Sequence, residues 1–97
     1  MASKVDDISI NYEEDDILKV KELDKEILTK GAWTTIMFKY QNWEHARQDF
    51  GPVKYTIRRY KKVNDNYLPQ SKFNISNDKQ AVKIIEALQK WVSESAE

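Results

Sequence analysis

Residues 53–62, VKYTIRRYKK, alternate along their whole length. In an extended chain successive side chains point to opposite faces, so Val53, Tyr55 and Ile57 share one side while Lys54, Thr56, Arg58, Tyr60 and Lys62 share the other. The pattern predicts an antiparallel strand with one apolar and one basic side. Arg59 and Lys61 fall on the apolar side, which implies that the strand outruns the core there or that these cations meet acids.

Working outward, Asn64, Asp65 and Asn66 form a turn cluster, because short amide and carboxylate side chains bond their own backbone and tolerate left-handed conformations. A hairpin follows, returning through residues 67–76, YLPQSKFNIS, with Phe73 and Ile75 inward and Gln70, Lys72 and Asn74 outward. Pro69 lies near the start of that strand, where a missing donor is tolerated. Asn77 and Gln80 then stand at capping-box spacing ahead of Ala81, Ile84, Ile85, Leu88, Trp91 and Val92, a helical repeat that predicts a helix over about residues 78–93.

Upstream, residues 33–43, WTTIMFKYQNW, combine β-branched and aromatic residues with alternation of Ile36, Phe38 and Tyr40, and read as a strand. Residues 44–51 are polar and end at Gly51-Pro52, a loop signal. Residues 17–28, ILKVKELDKEIL, mix strand-like Leu18 and Val20 with helix-like Leu23 and Ile27; we read them as a straight or bent strand. Residues 1–16, with acids at 6–7 and 13–16, read as a flexible acidic arm ahead of a single domain spanning 17–97. The fold class is α+β: an antiparallel sheet followed by a C-terminal helix.

The chain has 97 residues, 40% of them hydrophobic, which suffices for one modest core. It has no cysteine, so disulfides, thiolate metal sites and cysteine nucleophiles are excluded, in keeping with a reducing compartment. No apolar run approaches the roughly 20 residues of a membrane span, and a cytoplasmic protein, free to associate with a nucleoid, is expected. The net charge is zero, yet the charges are segregated. Residues 1–30 hold 9 acids and 5 bases, residues 31–83 hold 10 bases and 4 acids, and residues 84–97 hold 3 acids and 1 base. The middle thus carries +6 between ends of −4 and −2. Phosphate binding responds to local potential, so a neutral chain with a basic middle can bind nucleic acid.

If the strands are consecutive neighbours with their apolar residues beneath the helix, the open face collects Lys39, Trp43, Lys54, Arg58, Tyr60, Lys62, Lys72 and Asn74. Cations among aromatics suit an unpaired strand, because Lys and Arg follow the phosphates while flat rings take splayed bases at about 1–3 kcal/mol per base. Single-stranded DNA or RNA is therefore the expected partner. The competing reading is a wet sheet face that carries Lys, Arg, Thr and Gln only because it is solvated.

The run Tyr55-Thr56-Ile57-Arg58-Arg59-Tyr60, a short polar turn, the strand 71–76 with Lys72 and a capped helix together resemble the Positive Cofactor Four family, transcriptional coactivators and bacterial relatives that bind single-stranded DNA. The resemblance spans about residues 19–91, with its specific part at 55–76. It implies a four-stranded curved antiparallel sheet, dimerisation on the helix side, DNA across the concave faces and a role in transcription regulation. Residue by residue, it makes Arg58 a DNA contact, Lys72 the basic position of the last strand and Trp43 a stacking aromatic, although Trp43's place at a strand end beside the loop equally suits a partly buried packing residue or a subunit contact. The chain departs from the family at Lys61, where tryptophan is frequent, and in its longer 44–52 loop. Its acidic arm is unlike the serine-rich arm of the eukaryotic coactivators, which makes the bacterial relatives the nearer comparison.

Enzymatic chemistry has little to stand on. His45 is the one histidine, the acid pairs lie in the arm rather than convergently, and two glycines give no phosphate-cradling loop. No metal or cofactor is expected. The apolar stripe of the helix is wider than a small sheet covers, which predicts a homodimer with Ile85, Leu88 and Trp91 at its interface. A different class of function, a protein-interaction module using the sheet or the acidic arm, stays open, as does an arm that folds over the basic face and opposes binding.

Overall fold

A computed structural model describes residues 4–95. The chain runs through a single 3-10 turn (Val5–Asp7), β1 (Tyr12–Glu14), β2 (Ile17–Thr29), β3 (Trp33–Glu44), β4 (Asp49–Phe50), β5 (Lys54–Val63), β6 (Asn66–Ile75) and α1 (Asp78–Ser95). The sheet is antiparallel throughout, in the order β1-β2-β3-β5-β6, with the two-residue β4 paired to the end of β3. It curls into a half-barrel. The α+β class therefore holds, with a five-stranded path plus β4 in place of four strands.

Residues 17–28 are one strand, and its irregular sequence has a structural cause. Register shifts leave Leu23 unpaired between Glu22 and Asp24, and Leu28 unpaired between Ile27 and Thr29. Each bulge inserts one residue into the ladder, and so breaks the period of two. The strand connections are tight: Asp15 and Asp16 take φ of 54° and 63°, Asn64 and Asp65 take 51° and 65°. These are the left-handed pairs that two-residue hairpin loops require. At Gly51 a Cβ would meet only the outer part of the flexible Glu44 side chain, which can swing aside, and the Gly51 N–H donates to the Asn42 carbonyl at 2.9 Å.

The register decides the faces. Phe38 stands opposite Thr56, Ile36 opposite Arg58, Thr34 opposite Tyr60 and Tyr40 opposite Lys54. Directly opposed residues share a face, so the apolar side of β3 is continuous with the basic side of β5. The expected division, with Val53, Tyr55 and Ile57 joining Ile36, Phe38 and Tyr40, is overturned by this pairing. The inner face carries Thr34, Ile36, Phe38 and Thr56 fully buried, and Tyr40, Tyr60 and Tyr67 nearly so.

That core is closed by the N-terminal segment and not by the helix. Ile8 and Ile10 are 4% and 7% exposed and form one buried cluster with Ile36, Phe38, Tyr40, Tyr60 and Tyr67, with Val5, Val20 and Ile27 packed against it. The region expected as a flexible arm thus lies on the sheet and contributes β1; its residues 1–3, and residues 96–97 of the domain, lie outside the described residues.

The helix begins where the sequence places it: Asn77 Oδ1 accepts from the Gln80 N–H at 2.8 Å and Gln80 Oε1 accepts from the Ser76 N–H at 3.0 Å. No residue of α1 is buried. Ile85, Leu88, Trp91 and Val92 are all exposed, Trp91 by 60%. The helix does not lie over the sheet's apolar face as expected, because that face is already filled from within by Ile8, Ile10, Tyr60 and Tyr67.

Candidate nucleic-acid interface

The basic half of the inner face is built by β5 and β6. Arg58 stands opposite Lys72 and Thr56 opposite Asn74. The buried Thr56 hydroxyl donates to Asn74 Oδ1 at 2.8 Å, with the Phe73 carbonyl 3.3 Å away, so the Asn74 side chain is held against the strand. Between Arg59 and Tyr60 the register slips by one, leaving Gln70 of β6 without a partner. The slip opens a cleft of about 230 Å³ lined by Arg58, Pro69, Gln70, Ser71 and Lys72. It also brings Tyr67 opposite Lys62, whose Nζ lies 5.7 Å from the ring centroid.

The electrostatics favour an anion. Among the described residues the single ion pair is Arg47–Glu44, so Lys54, Arg58, Lys62 and Lys72 have no carboxylate partner. Arg58 Nε is buried and meets no acceptor. A buried donor left unpaired costs about 1–3 kcal/mol, a cost the fold carries here as it does at Trp43 Nε1. Burial pushes the Tyr60 hydroxyl above the ordinary tyrosine value, with the positive Arg58 pulling the other way.

Six of the eight expected site residues, Lys54, Arg58, Tyr60, Lys62, Lys72 and Asn74, are therefore brought to one face. Lys72 and Asn74 are open to solvent and Lys54 and Arg58 half-buried, whereas Tyr60 is only 5% exposed. Tyr60 lies in the cluster with Ile8 and Ile10 and is not an open platform.

Lys39 and Trp43 are not part of this face. Lys39 stands opposite Tyr55 on the outer face, in a groove it shares with Asp24 and Glu26, so its charge is locally offset. Trp43 packs edge-on against Phe50, with centroids 5.2 Å apart, and Lys21 lies over the Phe50 ring at 5.1 Å. Trp43 is thus a packing residue of the β3–β4 corner, and its Nε1 is buried without a partner. Arg59 and Lys61, expected to meet acids or to pass the core edge, instead lie over the Trp33 ring, at 4.5 and 5.4 Å, on the outer face. A cation over an indole is favourable without any acid.

Besides Ile8 and Ile10, Tyr67 and Lys25 lie on the inner face without a signal in the alternation. Tyr67 stood at the start of a strand whose parity the slip at Gln70 reverses. Lys25 stands opposite Phe38 because the bulge at Leu23 shifts it inward. In the family resemblance neither position was marked. Ile85, Leu88 and Trp91, expected at a dimer interface, are all exposed on α1.

Among the described residues no group of three or more His, Cys, Asp or Glu could hold a metal, and no helix is long and apolar enough to cross a membrane. The chain matches no family model, no curated protein and no solved structure.

Proposed function

We propose that this protein binds single-stranded nucleic acid, DNA foremost, through the inner face of β5 and β6, and that it does so as a homodimer in the cell interior. The observation that carries the reading is the set Lys54, Arg58, Lys62 and Lys72, four cations on one face with no carboxylate partner among the described residues. Tyr60 and Tyr67 lie on the same face but are buried against Ile8 and Ile10, so the open part of the face offers phosphate contacts and no free ring. The resemblance to the Positive Cofactor Four family agrees with this assignment at Arg58 and Lys72, and supports a role as a transcriptional coregulator. It gives no support at Trp43, which packs elsewhere.

The dimer rests on area. The chain measures 53 × 38 × 17 Å with a radius of gyration of 15.6 Å, against about 13 Å for a compact chain of this length. It exposes 7154 Å², where a compact monomer of its mass exposes about 5,800 Å². The excess is larger than the roughly 800 Å² each partner buries in a standard interface. Phe73, Ile85, Leu88, Trp91 and Val92 supply its apolar part, and a second copy of the chain presents the same unpartnered surface.

The test is a titration of a labelled single-stranded oligonucleotide at several salt concentrations. Binding should weaken with a log–log slope of about −0.7 for each cation engaged, near −3 for four. Arg58→Ala and Lys72→Ala should each weaken binding and flatten that slope. Absence of binding at low salt, or affinity indifferent to salt and to both substitutions, would overturn the reading and favour a polypeptide partner.

A further inference from the structure

The N-terminal segment that closes the inner core occupies the ground where bases would stack. From Lys4 to Asn11 it contributes nothing to the sheet ladder, which begins at Tyr12. Side chains hold it instead. Lys25 Nζ donates to the carbonyls of Asp6 and Ile8, each at 2.7 Å. The Ile10 N–H donates to Glu22 Oε1 at 3.1 Å, and the Glu22 N–H donates to Asn11 Oδ1 at 2.7 Å. Beneath it lie Tyr40, Tyr60 and Tyr67, in one cluster with Ile8 and Ile10.

Resting on the nucleic-acid reading above, we infer that residues 5–11 are a displaceable cover over the stacking surface of this face. In the closed state Arg58 and Lys72 remain open to phosphate while the tyrosine rings are withheld, so contact begins with the backbone of the strand. Asp6 and Asp7 are exposed on the cover and have no cation partner among the described residues. Charge mimicry therefore does not hold the cover in place; two isoleucines and the Lys25 bonds do. An arriving phosphate chain repels Asp6 and Asp7, and bases replace Ile8 and Ile10 on the rings. The ligand thus favours the open state both electrostatically and sterically, which is what shifting such an equilibrium requires. The withheld fraction lowers apparent affinity in proportion.

Lys25 makes the inference testable, because it is both an anchor of the cover and a cation of the inner face. Lys25→Met keeps the aliphatic stem and removes both bonds. If Lys25 served only as a phosphate contact, its loss would weaken binding, as Lys54→Met should. A cover predicts the opposite: Lys25→Met tightens binding of a labelled oligothymidylate, by roughly tenfold if the open state is about a tenth populated. Amide exchange gives a second readout on the intact chain. The Ile10 N–H should be protected in the free protein and should lose that protection at saturating oligonucleotide. Lys25→Met binding no tighter than the parent, or an Ile10 amide equally protected in the complex, refutes the cover and leaves the nucleic-acid reading standing. Failure of parent and variant alike to bind at low salt refutes both.

Discussion

Arg58 and Lys72 stand directly opposite each other on β5 and β6, two like charges on neighbouring strands with no acid between them. Such a pair opposes sheet formation, so the fold keeps it against its own stability. Lys72→Gln should raise the denaturation midpoint slightly, by roughly a few tenths of a kcal/mol given solvent screening, while weakening oligonucleotide binding. Urea unfolding and a binding titration on the same protein check both signs. A variant that lost stability and binding together would mean that Lys72 serves the fold.

The inner core should be the dominant source of stability. Phe38 is fully buried at the centre of the half-barrel, and Phe38→Ala should cost roughly 3–5 kcal/mol. Phe73, 53% exposed on the outer face, should tolerate alanine with little loss in a monomeric background. Paired denaturation curves test the contrast.

Assembly should be sensitive to α1. Leu88→Lys or Trp91→Lys should leave helix content unchanged by circular dichroism and convert the dimer to monomer by light scattering at micromolar concentration. A monomeric mass for the parent chain would remove the dimer altogether.

Alkaline stability should report on Tyr60. Its hydroxyl is raised above the unfolded value of about 10 by burial, so the folded state holds the proton more tightly. The resulting stability is fully present below about pH 10 and is lost as pH rises through the folded value. Tyr60→Phe should flatten the fall in midpoint across that window. Tyr55 is raised too, first by its hydrogen bond to Asp78 at 2.8 Å, yet it is only half-buried and should matter less.

The helix and the strands β3 and β5 were legible because their local signals had one reading, whereas residues 17–28 had two and the short β1 and β4 gave none. Asn77 and Gln80 bracket the helix start as their side chains dictate, and the strands at 33–44 and 54–63 alternate cleanly. What one strand's alternation cannot reveal is which of its sides adjoins which side of its neighbour; that depends on register, and Phe38 opposite Thr56 settled it against the simplest arrangement. Lys39 and Trp43 left the candidate face for that reason. Bulges hid more: Leu23 and Gln70 each shift parity in mid-strand and moved Lys25 and Tyr67 inward. Ile8 and Ile10 did carry a period of two, masked by the acids around them.

The slip at Gln70 has a further consequence at the boundary of the sheet. β6 is an outermost strand, and an outermost strand is a template on which another molecule's backbone can assemble. Here Pro69 removes a donor, Gln70 interrupts the regular spacing and Lys72 adds charge within a few residues. The irregularity that shapes the Arg58–Lys72 cleft thereby blunts this rim against open-ended strand addition. The proposed dimer through the helix would then close at two copies and not propagate into fibres.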